Sequence, residues 1–407
     1  MPENRVVLKN CEAVDPWDVA SYMAQDGLKA LEKAKRKLGS DKTIEEIKLS
    51  GLRGRGGAGF PCGAKWELAS QTEGYEKYFI CNADEGEVGT FKDRYILEHD
   101  PFSLLEGIAI GAHAIGANKV FIYLRGEYRF IREKLWNAIQ QFEKKGGFQD
   151  LKVELREGAG SYICGEESAL MNSIEGIRGE ARYRPPFPPV SGLHGKPTII
   201  NNVETLVNIP RIILNGAKWF SSIGTEKSKG TKVFSVSGDV QRPGVYEMTM
   251  GCTLNELLDI AGTENVKLVQ VGGATGRIVP NSKLNALLCY EGLLGSGAVT
   301  VLDESRDVIE FVYQILSFLN EESCGKCTPC REGTQAMVEV FERLHQGEGR
   351  LGDIEVLEDL SEVMRLASLC GLGQAASLPV IDTLEYFRND YDVRITQSIF
   401  FNTLRLG

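Results

Sequence analysis

Three cysteines within seven residues are the strongest chemical signal in this sequence. Cys324, Cys327 and Cys330 have the spacing C-x2-C-x2-C, and Cys370 follows further along in the run SLCGLG. Three thiolates at this spacing can bind three corners of an iron–sulfur cubane, and a distant cysteine can supply the fourth ligand. The pattern therefore predicts one [4Fe–4S] cluster, with both cysteine segments at helix ends.

Two other interpretations of these cysteines stay open. A four-cysteine zinc site usually shows two C-x2-4-C pairs, whereas the second segment here offers one cysteine. Unligated core cysteines are the third possibility, and most of the six scattered cysteines fit that description. The sequence shows no second C-x2-C-x2-C-x3-C run. We therefore expect electrons that reach the cluster to leave to another polypeptide.

A glycine-rich loop is the second signal. Residues 51–63, GLRGRGGAGFPCG, hold six glycines. The segment Gly54–Gly59 fits G-x-G-x-x-G, but the preceding residues read as a helix and Phe60-Pro61 follows at once, so a Rossmann turn is not indicated. The loop instead predicts a phosphate cradle of backbone N–H groups with Lys65 as a fixed cation. A merely tight connection is the alternative.

Polar residues follow two predicted strands. The strand KYFICNA ends in Asn82 and continues into Asp84, Glu85, Gly86 and Glu87. Polar groups at the carboxyl ends of parallel strands project into the crevice where α/β folds bind ligands, so Asn82 and Asp84 could hydrogen-bond a flavin ring edge or ribityl chain. A capped turn is the alternative. The strand LKVELREG likewise leads to Tyr162, Gly165, Glu166 and Glu167, although the helix dipole alone favours glutamates there.

The elements that must position these residues fall into four predicted parts. Residues 1–50 read as helical, with one long helix over 15–39, and residues 51–228 alternate strands with helices over 95–117, 128–145 and 166–176. This alternation predicts an α/β domain with a mostly parallel sheet. Residues 229–305 begin with a hairpin and predict a small β-grasp domain. Residues 306–407 show four amphipathic segments in a row, which predict a helical bundle.

Composition excludes several classes of protein. The formal net charge of −10 over 407 residues argues against nucleic acid or an anionic membrane surface as the main partner. No apolar run reaches the roughly 18 residues of a membrane span, and the N-terminus has no apolar signal-peptide core. We therefore expect a cytoplasmic protein without direct membrane insertion.

Together these motifs resemble the flavoprotein subunit that oxidises NADH in respiratory complex I, and its relatives in soluble NAD-linked hydrogenases and formate dehydrogenases. The segments that carry the resemblance are GLRGRGGAGFPCGAKW (51–66), CNADEGEVGTFKDR (81–94), GAGSYICGEESAL (158–170), PTIINNVET (197–205), ESCGKCTPCREGT (322–334) and SLCGLG (368–373). The resemblance implies a short helical start, an FMN-binding α/β domain, a β-grasp (SLBB-like) domain and a helical bundle that carries an Fe–S cluster.

The resemblance also implies which residues bind the cofactors. FMN would be lined by Gly54, Gly56, Lys65, Asn82, Asp84, Gly86, Tyr162, Gly165, Glu166, Asn201, Asn202 and Thr205, with Glu85 beside them. NADH would meet Phe60, Lys65, Glu87, Tyr162, Glu167 and Phe187. The two phenylalanines offer faces for adenine stacking. Glu87 and Glu167 can accept ribose hydroxyls and would repel a 2′-phosphate, which favours NAD over NADP.

Three positions depart from the family pattern. Cys62 replaces a usual threonine, Leu68 replaces an aromatic residue near the adenine, and Gly86 stands where serine is common. The cluster ligands implied by the resemblance, namely Cys324, Cys327, Cys330 and Cys370, are all present.

The implied function is that of an NADH:acceptor oxidoreductase, or diaphorase, subunit. Hydride passes from NADH to FMN, and single electrons pass to the [4Fe–4S] cluster, with the chemistry supplied by the cofactors. The implied partners are a thioredoxin-like [2Fe–2S] subunit and a further Fe–S catalytic subunit of hydrogenase or formate dehydrogenase type. Alternatives are an electron-bifurcating complex, the corresponding respiratory complex I subunit and, from another class, a zinc-stapled nucleotide-binding scaffold.

Overall fold

The N-terminal region is helical but more broken than the sequence predicts. The computed structural model describes residues 5–74 and 76–396. Its first helices are α1 (Val19–Ala24), α2 (Lys29–Lys33) and α3 (Gly39–Ser50), with a π-helical turn at Ala34–Leu38. The predicted single helix over 15–39 is wrong because Asp26 and Leu28 both adopt positive φ, which ends one helix and starts another.

The first sheet is parallel throughout, as the strand–helix alternation predicted. Its strands are β1 (Tyr78–Ala83), β2 (Lys119–Leu124), β3 (Lys152–Glu157) and β4 (Thr198–Asn202), in the order β3-β2-β1-β4. The chain runs outward from β1 to β3 and then returns to place β4 on the other side of β1. Strand β4 was not predicted, because it is short and its two asparagines read as the start of a helix.

Helix α4 (Cys62–Gln71) precedes β1. The helices that connect or follow the strands are α5 (Lys92–His99), α6 (Pro101–Ile115), α7 (Arg132–Lys144), α8 (Glu167–Ile174), α9 (Val203–Asn215) and α10 (Ala217–Ser221). The predicted helix over 95–117 is two helices, since Asp100 leaves helical geometry and caps α6, with Pro101 at its first position. Asn202 caps α9 by accepting a hydrogen bond from the Glu204 backbone N–H at 3.0 Å.

The second sheet is mixed and carries one helix. Strands β5 (Thr231–Gly238), β6 (Gly244–Thr249), β7 (Val266–Val271), β8 (Arg277–Pro280) and β9 (Ala298–Asp303) follow the order β6-β5-β9-β7-β8. The predicted hairpin is the antiparallel pair β5–β6, and β5 also pairs with β9 in parallel. Helix α11 (Leu254–Ala261) begins with a capping box of Thr253 and Glu256. This arrangement agrees with the predicted β-grasp shape.

The last described region is the predicted helical bundle. It contains α12 (Val308–Glu321), α13 (Thr328–His345), α14 (Asp353–Ala367), α15 (Gly371–Ala375) and α16 (Leu378–Tyr386). The Asp382 carboxylate in α16 accepts hydrogen bonds from the Arg277 guanidinium and from the Ile278 N–H at 2.7 Å, which fastens the bundle to β8. No helix in 5–74 and 76–396 is long and apolar enough to cross a membrane. The three boundaries between the four predicted parts stay predictions.

Candidate cofactor and cluster site

The polar strand ends meet in one crevice. Strand β1 pairs with β2 on one side and with β4 on the other. The chain adds β2 and β3 on one side of β1 and then adds β4 on the opposite side, so the strand order switches direction between β1 and β4. Open parallel sheets bind ligands at such a switch point, outside the carboxyl ends of the strands. Asn82 at the end of β1 lies opposite Asn202 at the end of β4. The sheet therefore brings together side chains that the sequence separates by more than a hundred residues.

The glycine-rich loop, residues 51–63, lies over the start of α9. The Arg55 backbone N–H donates to the Thr205 hydroxyl at 2.8 Å. A Cβ on Gly56 would stand 3.0 Å from the Asn202 Cβ, so a side chain there would press on β4. Gly57 and Ala58 at the tip are exposed. The loop thus presents open backbone beside the N-terminus of a helix, an arrangement that suits a phosphate.

Lys65 joins three elements of the crevice. It lies on α4, and its ammonium donates to the Ile200 carbonyl of β4 at 3.1 Å and to the Glu167 carboxylate of α8 at 2.7 Å. Burial alone would raise the pKa of Glu167, but Lys65 and the nearby Arg184 outweigh burial and hold that pKa below its ordinary value. Glu167 therefore carries its negative charge at neutral pH.

Two partly buried carboxylates, Asp84 and Glu87, lie on the segment after β1. Burial raises the pKa of Asp84 to about 7, and its Oδ2 atom has no hydrogen-bond partner within the described residues. Burial also raises the pKa of Glu87 to about 7, against hydrogen bonds from the Tyr162 hydroxyl at 2.8 Å and the Ala274 N–H at 2.7 Å. An unpartnered buried acceptor such as Asp84 is costly unless a ligand donates to it.

Other predicted residues line the same crevice through their backbone or amide groups. The Asn82 amide donates to the Gly165 carbonyl at 2.9 Å, and Asn201 accepts from the Trp66 indole N–H at 2.8 Å. A Cβ on Gly86 would lie 3.2 Å from the Tyr162 Cα, so the usual serine would crowd that tyrosine. These contacts orient the two asparagines and leave little room around Gly86.

Two predicted site glutamates are engaged elsewhere. Glu85 is buried, and its carboxylate accepts from the backbone N–H groups of Asp93 and Arg94 at the start of α5 and from the Tyr128 hydroxyl. Glu166 caps α8 by accepting from two of its backbone N–H groups. The cofactor roles predicted for both stay predictions. In the structure, each carboxylate accepts hydrogen bonds from backbone N–H groups at the start of a helix.

The predicted adenine-stacking side chains are open to solvent. Phe60 is 59% exposed and Phe187 is 52% exposed, which is high for phenylalanine. Leu68, where the family pattern has an aromatic residue, is 45% exposed. Large exposed aromatic faces beside a polar crevice are suited to stacking on a planar ligand.

Tyr162 connects the crevice to the cysteines. Its hydroxyl donates to Glu87, while its backbone N–H donates to the Glu322 carboxylate at 2.8 Å. Its ring packs edge-on against Phe318 of α12, with ring centroids 5.4 Å apart. Because α12 leads directly into the cysteine run, a single residue touches both the crevice and the cysteine-bearing segment.

The four predicted cluster cysteines surround one cavity. Cys324, Cys327, Cys330 and Cys370 line it together with apolar side chains that include Ile163, Leu369 and Leu372. Cys327 is the residue that caps α13 and Cys370 the residue that caps α15, so both segments lie at helix ends, as predicted. Helix N-termini favour thiolates. Burial raises the pKa of Cys330 to about 11, and the other three thiols add to this effect.

Four cysteines around one cavity are a donor set for a metal–sulfur site. A tetrahedral zinc ion needs its sulfurs about 2.3 Å away, which draws the four ligands close together. Within 5–74 and 76–396, no three His, Cys, Asp or Glu side chains converge closely enough to hold one ion.

A buried charge cluster behind the crevice was missed by the sequence reasoning. Lys92, Asp93, Glu204 and Lys232 are all nearly inaccessible to solvent. The Lys232 ammonium lies 2.5 Å from Glu204, and the Lys92 ammonium lies 3.1 Å from Glu204 and 2.7 Å from Asp93. Asp93 also accepts from the Asn202 amide at 2.6 Å. No sequence signal could join these residues, because the cluster forms only where α5 and α9 meet strand β5 of the second sheet.

Comparison with protein-family models assigns three parts of the chain. Residues 47–211 match the Nuo51 FMN-binding domain, residues 233–275 match the SLBB domain, and residues 310–394 match the NADH-ubiquinone oxidoreductase-F iron-sulfur binding region.

Whole-chain relatives point the same way. The NADP-reducing hydrogenase subunit HndC of Solidesulfovibrio fructosivorans is 43% identical, over 96% of this chain and 83% of its own length. An NADH-quinone oxidoreductase subunit of Rhizobium meliloti is 41% identical, over 96% of this chain and 98% of its own. Among solved structures, a NAD+-reducing [NiFe]-hydrogenase in the H2-reduced state matches with a TM-score of 0.88 and 39% identity, covering 97% of this chain and 67% of that one.

Proposed function

This chain belongs to the family of complex I flavoprotein subunits, and we propose that it is the diaphorase subunit of a hydrogenase-type complex. As a member, it is an NADH-oxidising subunit that uses FMN and one [4Fe–4S] cluster, and such subunits work within multi-subunit assemblies. The observation that carries electron transfer from FMN to the cluster is the placement of the cysteine cavity beside the crevice, joined to it by Tyr162. The hydrogenase type is supported by the two hydrogenase proteins that this chain resembles.

We propose that the crevice holds FMN. When bound, FMN accepts a hydride from nicotinamide and releases electrons singly. The open glycine-rich loop, the start of α9 and the Lys65 ammonium would hold its phosphate. The buried, unpartnered Asp84 carboxylate offers an acceptor for a ribityl or ring N–H or O–H group. The proposed contacts are Gly54, Gly56, Lys65, Asn82, Asp84, Gly86, Tyr162, Gly165, Asn201, Asn202 and Thr205. Glu85 and Glu166, which the resemblance also implies, have carboxylates that hold the starts of α5 and α8.

We propose that NADH enters beside the flavin. Phe60 and Phe187 would stack on the adenine, while Glu87 and Glu167 would accept ribose hydroxyls. Lys65 and Tyr162 complete this proposed set. Tyr162 keeps Glu87 oriented through its hydroxyl, and Ala274 of the second sheet's domain does so through its backbone N–H. The residues thus bind and orient the nicotinamide cofactor, and no side chain needs to act as a nucleophile.

We propose that Cys324, Cys327, Cys330 and Cys370 bind the cluster. The partners would be a thioredoxin-like [2Fe–2S] subunit and a further Fe–S catalytic subunit of hydrogenase or formate dehydrogenase type. The alternative is a respiratory complex, because relatives of both kinds resemble this chain to a similar degree. We also place the protein in the cytoplasm as part of this proposal.

Anaerobic purification of the native complex tests the proposal. We expect a yellow-brown protein with one FMN and the iron of one [4Fe–4S] cluster in this chain, and we expect its flavin absorbance to bleach on addition of NADH. Mass spectrometry of the co-purifying subunits distinguishes hydrogenase from quinone-reductase partners. A colourless protein that contains zinc would contradict the proposal and support a nucleotide-binding scaffold.

Glu167→Gln is expected to narrow the preference for NADH over NADPH. A carboxylate near the ribose repels a 2′-phosphate, but Lys65 at 2.7 Å already neutralises part of this charge. We therefore expect the ratio of the two kcat/KM values to fall about three- to tenfold, which corresponds to about 0.7–1.4 kcal/mol. The matched control is Glu67→Gln, since Glu67 pairs with Lys48 on the outer side of α4. An unaltered ratio would count against contact between Glu167 and the ribose.

A further inference from the structure

Tyr290, in the domain of the second sheet, packs against the glycine-rich loop. The Tyr290 hydroxyl donates to the Gly54 carbonyl at 2.7 Å and accepts from the Arg55 guanidinium at 3.0 Å. The Arg53 guanidinium carbon lies 3.8 Å from the centre of the Tyr290 ring. Three consecutive loop residues are therefore held by one side chain that is more than two hundred positions away in sequence.

The far end of the loop rests on the same ring. Gly59 adopts a φ of +65°, and a Cβ there would stand 2.5 Å from Tyr290. The Arg53 side chain donates to the Gly59 carbonyl at 2.6 Å, and the Gly54 N–H donates to the Phe60 carbonyl at 2.9 Å. The two ends of the loop are thus hydrogen-bonded to each other and packed against Tyr290, while Gly57 and Ala58 at its tip are exposed.

Arg55 anchors the loop to both domains. Its side chain is almost fully buried and donates to the Lys229 carbonyl at 2.6 Å, while its backbone N–H donates to Thr205 at the start of α9. The tyrosine in turn is fixed by its own backbone N–H, which donates to the Ser228 hydroxyl at 2.9 Å. The loop therefore depends on the second domain for its shape.

We propose that Tyr290 is a positioning residue that preorganises the glycine-rich loop for the phosphate of FMN. Glycines lose more conformational freedom on ordering than any other residue. If this loop became ordered only when FMN binds, that loss of entropy would lower the affinity for FMN. Tyr290 removes that cost by holding the loop before the cofactor arrives. The inference rests on the proposed function, because it assumes that this loop binds FMN.

The test compares Tyr290→Leu with Tyr290→Phe in the full-length protein. We expect Tyr290→Leu, which loses both the hydroxyl and the ring, to raise the FMN dissociation constant about tenfold or more. Tyr290→Phe keeps the ring under Arg53 and should raise it about threefold. FMN release is followed by the recovery of free flavin fluorescence, and iron content and the thermal unfolding midpoint report separately on folding.

The control is Tyr246→Phe. Tyr246 lies on β6 of the same domain and also donates its hydroxyl to a backbone carbonyl, that of Arg242, but it does not touch the loop. We expect its FMN affinity to match the wild type. If Tyr290→Leu fails to fold, the FMN affinity of a Tyr290→Phe protein with full iron content tests the role of Tyr290.

The outcomes separate the two claims. A wild-type protein that binds no FMN would overturn the proposed function. If the wild-type protein binds FMN and a folded Tyr290→Leu variant binds it with unchanged affinity, the proposed role of Tyr290 is wrong and the proposed function stands. The same conclusion follows if the Tyr290→Phe variant binds FMN with unchanged affinity.

Discussion

Cys327→Ser is expected to remove most of the iron from this chain and to leave its FMN in place. Cys327 caps α13 and lines the cavity shared by the four cysteines. Serine has the same shape, but its hydroxyl does not ionise near neutral pH, so it is a poor replacement for a thiolate ligand. The proposed flavin contacts lie outside α12–α16, on the glycine-rich loop, on α4, after β1, before α8 and around β4. Loss of the cluster should therefore spare the flavin.

Iron and flavin are measured on the same sample. We expect iron to fall to less than about a fifth of the wild-type content and the flavin absorbance still to bleach with NADH, while electron transfer to the partner subunits stops. The control is Cys252→Ser. Cys252 lies in the second domain, and burial raises the pKa of its thiol to about 12, so it stays protonated. A Cys327→Ser protein with full iron content would contradict the assignment of this ligand.

The cysteines and the parallel sheet were predictable because their signals are local. The spacing of Cys324, Cys327 and Cys330 can be read within seven residues, and alternating strands and helices leave few arrangements other than a parallel sheet. The convergence of Asn82 with Asn202 follows from that sheet once both lie at strand ends. The short strand β4 could not be predicted, since so few residues carry no clear periodicity.

The orientation of neighbouring side chains was harder to predict. Asp84, Glu85 and Glu87 follow one strand and read as one polar group, yet Glu85 turns away to hold the start of α5. Successive side chains of an extended segment point to opposite sides, so adjacency in sequence does not imply a shared site. The contact between Ala274 and Glu87 was also unpredictable, because it depends on how the connection between β7 and β8 packs against the segment after β1.

The buried charge cluster of Lys92, Asp93, Glu204 and Lys232 was also unpredictable from the sequence. Its contacts lead to a prediction about the free energy of unfolding. Glu204 accepts from the Val233 N–H at 2.8 Å and lies within salt-bridge distance of both lysines. Burial would raise the pKa of Glu204, but the two ammonium groups outweigh burial and lower it. Burial also lowers the pKa of Lys232, and the attraction of Glu204 opposes this shift. Glu204 is therefore the buried carboxylate with which both lysines pair.

Glu204→Gln is expected to lower the free energy of unfolding by about 3–5 kcal/mol, because it removes the buried carboxylate with which Lys92 and Lys232 both pair. The double variant Glu204→Gln/Lys232→Met also removes the Lys232 ammonium, while Lys92 and Asp93 still pair at 2.7 Å. We expect the double variant to be more stable than the Glu204→Gln single variant, as measured by urea unfolding. Glu32→Gln, which breaks the exposed Glu32–Arg36 pair, serves as the control and should cost at most about 0.5 kcal/mol.

The same variants show whether the cluster supports the cofactor crevice. Asp93 accepts from the Asn202 amide at 2.6 Å and from the Glu204 backbone N–H at 3.2 Å, so a shift of the cluster moves the end of β4. We therefore expect Glu204→Gln to lose FMN more readily than wild type, and the double variant to recover part of that affinity. A double variant no more stable than the single variant would mean that net charge does not control this cluster, and that the geometry of Glu204 itself does.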